Sequence, residues 1–260
     1  HIQDFFVCYL QHLSEVKSRQ QREEGLAYFC GYLNHYIGDS ICHPYVYGRI
    51  GYDAKAPNSQ AHGRHASLEN DIDAILLWKY KHKKPSQFNQ AATICLNGME
   101  TQFISRFLAE CINEAYYPIT YSNNFQVTPA MIHRSILALR FGCRTLADPK
   151  GSKRNKIAFV EKLVLKNPVA SQKLVTDEIN NPREVLNIDH DIWCNPWDRR
   201  LASRASFPDL FCQCLHKSSN VYAIINSYLT GELPNTKGNM DRLLDELGSY
   251  SYHSGLFVPD

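Results

Sequence analysis

Apolar positions along this chain recur every three to four residues rather than every two, and that period predicts helices. Phe5, Phe6, Cys8, Tyr9, Leu10 and Leu13 mark a helix over residues 5–16, ended by the polar run 18–24. Leu26, Phe29, Cys30, Leu33, Ile37 and Ile41 mark a second over 25–41, and Pro44 is expected to close it because proline has no amide to donate. Residues 45–62 carry Gly48, Gly51, Pro57, Asn58 and Ser59 and read as a loop. A third helix starts near Arg64 with Leu68, Ile72, Ile75, Leu76 and Leu77 as its buried stripe, and the basic run 79–84 leads it into solvent. Further helices are expected over 86–96, 100–116, 129–147, 206–230 and 239–247, with an aromatic, Asn-rich link at 117–124. Residues 148–156 are the most linker-like stretch, and Asn187, Trp193, Asn195, Pro196 and Trp197 fall in an extended or irregular segment. There is no alternating strand pattern of useful length and no internal repeat. The expected fold class is all-α, a single helical domain over residues 1–260.

The helical reading gives certain polar residues a geometry. His35, Asp39 and His43 are spaced i, i+4, i+8, so their side chains form one row on one helix face; His65 and Glu69 repeat the four-residue step on the next helix. Imidazole and carboxylate are ligands that zinc accepts at about 2.0–2.2 Å, and a carboxylate can bridge two ions. Asp39 is the natural bridge. Paired ions about 3.5–4 Å apart hold an attacking water and stabilise charge on a phosphoryl group, so phosphoester hydrolysis is the chemistry that suits the set. A single structural zinc is the rival, although structural sites use cysteine more often than carboxylate. His62 could substitute for His65, but only His65 has an acidic residue four places on. Asp71 and Asp73 read as a solvated face, with an orienting role open to Asp73. Tyr36, Tyr45, Tyr47 and Tyr52 could line an entrance for a choline-type cation, yet in a chain with 15 tyrosines packing explains them better. Trp193 and Trp197 read as core aromatics. His12, His82, His133, His216 and His253 lack partners at ligand spacing and read as structural or exposed.

Composition narrows the class. A formal charge of +2 predicts no specific nucleic-acid partner, and no apolar run reaches the ~18 residues of a transmembrane segment. Nine cysteines, an odd number without a CxxC pair, read as reduced core residues and favour the cytoplasm. The first residue is His1 rather than Met, so an upstream segment is expected and secretion stays open.

His35-Tyr36-Ile37-Gly38-Asp39 with His43-Pro44, followed by His65 and Glu69, resembles the HxxxD and HxxxE ligand pairs of the bacterial zinc-dependent phospholipase C family, which is related in fold to zinc-dependent single-strand nucleases. The match is nearest to that family's less studied prokaryotic branch: Gly31 to Tyr45 is similar to the central motif. Leu186-Asn187, Trp193-Cys194-Asn195-Pro196 and Ser206-Phe207-Pro208-Asp209-Leu210 are similar to the C-terminal pattern. The resemblance implies a helical fold with a cluster of two or three zinc ions cut into one face. It also implies hydrolysis of phosphodiester bonds in phospholipids and contact with a membrane surface. It makes His43, His65 and Glu69 ligands of one zinc, and His35 and a bridging Asp39 ligands at the other position or positions, with His1 completing the cluster. The family's further upstream ligands, including an aspartate that could act as general base, have no counterpart in these residues, so no catalytic residue is assigned. Two rivals remain. The adjacent His190-Asp191 resembles the dyad of HD-type metal-dependent phosphohydrolases, and a catalytically degenerate module that binds metal or lipid would keep the fold alone.

Overall fold

The computed structural model describes residues 2–56, 59–118, 124–164, 170–230 and 237–259. They form a helical protein whose elements are α1 (Ile2–Glu15), α2 (Arg19–Arg49), α3 (Ser59–Lys81), α4 (Gly98–Tyr116), α5 (Pro129–Leu146), α6 (Ser152–Val164), α7 (Pro182–Val185), α8 (Phe207–Leu229) and α9 (Lys237–Leu247). A two-stranded antiparallel ribbon, β1 (Trp193–Cys194) and β2 (Ala202–Ser203), is the sheet found among the described residues. The fold is therefore all-α, as expected. The helix starts are written locally. Ser18 accepts from the amide of Gln21, Asn97 and Glu100 form a reciprocal capping box, as do Ser206 and Asp209, and Pro129 follows the Thr128 cap. Among the described residues no helix is long and apolar enough to cross a membrane.

Four sequence expectations are corrected. First, α2 does not stop at Pro44 but continues to Arg49, and α3 begins at Ser59, so much of the expected loop is helix; Pro57 and Asn58 lie outside the described residues. An interior proline costs a helix about 3 kcal/mol, but here Pro44, Tyr45, Val46 and Tyr47 are all buried, and that packing outweighs the lost bond. Second, 86–96 forms only two 3-10 turns, Pro85–Gln87 and Gln90–Thr93. Ala91 is the one buried residue in the two turns, so no apolar stripe holds a longer helix. Third, the linker-like segment becomes α6, because the Asp148 carboxylate accepts from the Arg154 amide at 2.7 Å and the Ser152 hydroxyl at 3.5 Å at the helix start. Fourth, all nine cysteines are free, but Cys95 and Cys212 are exposed rather than core. Of the Asn-rich link, residues 119–123 lie outside the described set.

Two apolar cores meet along α2. Phe6, Tyr9 and Leu10 of α1, Phe29, Leu33 and Ile37 of α2, Ile104 and Leu108 of α4, Val221 and Ile225 of α8 and Leu243 of α9 form the larger one. Tyr45 and Val46 near the C-terminal end of α2, with Ile72, Ile75, Leu186, Trp193, Phe207 and Leu210, form the smaller. In the smaller core the Tyr45 hydroxyl donates to the Val185 carbonyl at 2.6 Å and the Trp193 indole to that of Ala205 at 2.9 Å. Gly48 brings α2 against β1: a Cβ there would lie 2.7 Å from the Cys194 carbonyl oxygen.

The segment after α9 lies back along α2. Tyr36 binds it twice, donating to the Gly248 carbonyl at 2.7 Å and accepting from the Tyr250 amide at 2.8 Å, and the Tyr252 hydroxyl donates to that of Tyr32 at 3.0 Å. It reaches the point where Pro44 cannot donate to the Ser40 carbonyl. There Gly255, at φ +62°, fills the gap so closely that a Cβ would stand 2.4 Å from the Ser40 oxygen and 2.8 Å from Pro44 Cγ. Gly51 has a similar φ of +64° with nothing within 4 Å of a Cβ. Gly255→Ala is therefore expected to destabilise the protein by about 1–3 kcal/mol in urea unfolding. Gly51→Ala should lose less, since it carries the backbone strain without the clash; equal losses would show that the close approach to Ser40 is unimportant.

Candidate metal centre

Five of the six residues singled out for metal binding meet in the structure. α2 presents His35, Asp39 and His43 in a row, and α3 brings His65 and Glu69 opposite them. His35 Nε2 lies 3.4 Å from Asp39 Oδ2, and His43 Nε2 lies 3.9 Å from Asp39 Oδ1. Glu69 Oε1 sits between the two half-buried imidazoles, 3.2 Å from His43 Nε2 and 3.0 Å from His65 Nε2. The ligand atoms of His43, His65 and Glu69 all fall within 4.8 Å of one another. His35 is the outlier in burial: its side chain is 63% exposed against 11% for His43. His1 lies outside the described residues. His62 is exposed.

The arrangement fixes a tautomer. A carbonyl can only accept, so the 2.5 Å contact between His43 Nδ1 and the Tyr252 oxygen is a hydrogen bond donated by Nδ1–H. That leaves Nε2 of the neutral ring as a lone pair facing Glu69 and Asp39, and a backbone acceptor on the far nitrogen is the usual support of a metal-binding imidazole. In the imidazolium form the same Nε2 carries a proton and donates to Glu69. The titration of the groups follows from that sharing. Burial works to raise the Glu69 carboxyl, but the hydrogen bonds from His43 and His65 overcome it and hold it down at about 2. Burial works to lower His43, but the bond to Glu69, the charge of Asp39 and the Tyr252 carbonyl raise it instead. Asp39 goes up, because burial exceeds the opposing pull of His43 and His35. A divalent cation between these groups would replace a shared proton with a charge that all of them favour, so the donor set fits zinc.

A cleft of about 420 Å³ opens over the row, lined by His35, Asp39, His43, Glu69 and Asp73 among others, with Phe207 of α8 on its wall. Asp73 is not simply a solvated residue. It remains accessible, yet the enclosing walls and then the charge of Glu69 push its carboxyl up to about 6. Asp71 is bonded to Asn180 Nδ2 at 2.8 Å, outside the cleft. Tyr47 forms an aromatic wall, its ring 4.5 Å from that of His65 and 5.0 Å from that of Trp197. Tyr36 and Tyr45 are buried in the protein rather than at an entrance.

Two participants escaped the sequence reading. Tyr252 contributes through its backbone, which leaves no trace in residue type. His253 was read as partnerless, but its ring lies parallel to that of His43 with centroids 5.9 Å apart, and the Tyr47 hydroxyl lies 3.1 Å from its Nδ1. Burial, then the neighbouring His43 and His65, lower its pKa. Its spacing gives no helical partner, because it arrives on a loop. His190 stands elsewhere: its Nδ1 donates to the Arg204 carbonyl at 2.9 Å, and it belongs to neither three-donor group found among the described residues.

Residues 2–117 match the family model described as zinc dependent phospholipase C. That segment contains His35, Asp39, His43, His65 and Glu69 and excludes the C-terminal pattern at 186–210. Comparison with curated proteins and with solved structures found no match.

The ion-pair geometry has a pH signature in metal-free protein. Glu69 has a lowered folded pKa, so its contribution is complete above its ordinary value of about 4.5 and is lost as pH falls towards 2. His43 has a raised one, so its contribution is complete below about 6.5 and is lost as pH rises through the folded value. In chelator, the stability difference between the native protein and Glu69→Gln is expected to peak between about pH 4.5 and 6.5 and shrink on either side. Urea titrations across that range measure it, and a pH-independent difference would contradict the pairing.

Proposed function

We propose, on the premise that residues 2–117 belong to the zinc-dependent phospholipase C family, that the chain is one catalytic domain over residues 1–260 that hydrolyses a phosphodiester bond of phospholipids. The observation that carries the proposal is the convergence of His43, His65 and Glu69 within 4.8 Å, in line with Asp39 and His35 under an open cleft. His43, His65 and Glu69 would hold one zinc, and Asp39, His35 and His1 would be the residues for the rest of a cluster of two or three ions. Bound there, zinc lowers the pKa of water and offsets negative charge on a phosphoryl group.

The chain's own residues set up the rest. The Tyr252 carbonyl keeps the His43 lone pair directed at the ion, and Tyr47 packs over His65 so that its ring cannot swing away. Asp73, four residues beyond Glu69 and raised to about 6, is assigned to accept or return a proton, since a group with pKa near the working pH transfers protons most effectively. Membrane contact is assigned to α5 and α6. Leu137, Leu139 and Phe141 of α5 and Phe159, Val160 and Leu163 of α6 are exposed, and Arg134, Arg144, Lys153, Lys156 and Lys162 supply cations on the same helices. Apolar and basic side chains together suit an anionic lipid surface.

The test is metal counting and a substrate panel. Zinc-loaded protein is expected to hold two or three ions in this cleft and to cleave choline phospholipid vesicles in preference to a nitrophenyl phosphodiester or single-stranded DNA. Glu69→Ala should lose at least one ion and about 10²-fold or more in turnover. Asp73→Asn should keep every ion while turnover falls by about 10²–10⁴-fold. Zinc bound with no hydrolysis of any of the three would identify a binding module instead, and an absence of zinc would remove the proposal.

A further inference from the structure

We infer that Cys8, His12 and Glu114, with the Cys111 thiol beside Cys8, form a zinc site at the junction of α1 and α4, separate from the cleft. α1 presents Cys8 and His12 one turn apart, and α4 presents Cys111 and Glu114 at i, i+3, so each helix aims two donors at the other. Cys8 Sγ, His12 Nε2 and a Glu114 carboxylate oxygen lie within 4.8 Å of one another. His12 Nε2 is 2.7 Å from Glu114 Oε2. The Cys8 thiol donates to the Cys111 carbonyl at 3.6 Å and has the Cys111 thiol as a hydrogen-bond neighbour.

Tetrahedral zinc with bonds of about 2.3 Å to sulfur and 2.0–2.2 Å to nitrogen or oxygen places its ligands roughly 3.3–3.8 Å apart. Cys8 needs to draw in by about 1 Å to meet that spacing, and His12 and Glu114 to part a little from 2.7 Å. The set combines two thiols, an imidazole and a carboxylate. It is graded from inside to outside: Cys8 and Cys111 are buried, while Glu114 reaches solvent. Plain helix packing needs none of this, since a small apolar residue would fill the Cys8 position, whereas a thiol, an imidazole and a carboxylate gathered from two helices are three zinc donors. An ion held by donors from both helices would tie α1 to α4. Zn²⁺ plus the Cys8 thiol gives a thiolate complex and one proton.

Cobalt(II) separates this site from the cleft, where the assigned ligands are nitrogen and oxygen only. Cobalt-loaded protein is expected to show thiolate-to-cobalt charge-transfer absorption in the near ultraviolet. Cys8→Ala should abolish the band and lower the ion count by one per chain, whereas Glu69→Ala should keep the band. A band that is absent from the native protein, that survives Cys8→Ala, or that disappears in Cys42→Ser at the cleft edge would overturn the proposal. Should Cys8→Ala not fold, the surface variant His12→Gln with Glu114→Gln provides the test. Chelator competition should show its tighter-bound thiolate ion weakened by at least about 10-fold, and unchanged affinity would equally overturn it.

Discussion

The hydrogen bond from His43 Nδ1 to the Tyr252 carbonyl is the contact on which the candidate centre depends. It exists because a helix has been interrupted without being ended. Pro44 removes one donor from α2 at Ser40, and the chain after α9 occupies that place with Gly255 pressed against the Ser40 carbonyl. Two residues earlier the same segment places His253, and three earlier it delivers the Tyr252 oxygen. A side chain at position 255 would push the segment off α2, and the orienting bond would go with it. The N-terminal helices supply the ligand side chains, but the C-terminal segment determines which nitrogen of His43 faces the cleft. Asn195 reinforces the docking, donating from Nδ2 to the Ser254 carbonyl at 2.8 Å, so the ribbon region supports the same segment.

Carboxylates and imidazoles gathered partly out of water lose hydration on folding, and the surrounding packing must offset that cost. Here the compensation is spatially close. Tyr45 and Val46 follow the ligand row directly on α2 and are fully buried in the smaller core, and Ile72 and Ile75 do the same after Glu69 on α3. Each candidate ligand stretch is thus continuous with an apolar stretch on the same helix. The apolar stretches hold both helices, and the carboxylates compete for protons held between them and the imidazoles. This explains why the pKa values of Glu69 and His43 move apart while Asp39 and Asp73 both rise: hydrogen bonds from two imidazoles hold Glu69 down, and burial pushes the less bonded carboxyls up.

Much of this was legible in the chain. Apolar periodicity marks α1, α4 and α8 with small boundary errors, since their stripes are long, and α4 and α8 start at the recognisable caps Asn97 and Ser206. The ligand row was legible for a different reason: four-residue spacing survives any helix, so His35, Asp39 and His43 had to align, as did His65 and Glu69. That the two rows face each other was not contained in spacing, and came from the family resemblance. What failed were decisions set by tertiary contacts. Proline and glycine are read as punctuation, yet Pro44 and Gly48 sit within α2 because buried neighbours outweigh local preference. Asp148 capping α6 from a linker-like run, and His253 arriving on a loop, depend on residues far away or on backbone atoms.

The exposure gradient along α2 bears on how the centre would be used. His43 and His65 are nearly enclosed, Asp39 is intermediate, and His35 stands mostly in solvent. An ion at the enclosed end loses its hydration to fixed groups, whereas one at the His35 end keeps room for water and for a phosphoryl oxygen. Interactions with buried charges are stronger because the surrounding medium screens them less. The enclosed end therefore suits tight, permanent retention, and the open end suits exchange of water and substrate. Asp39, touching both, is the residue through which occupancy of one end would alter the other.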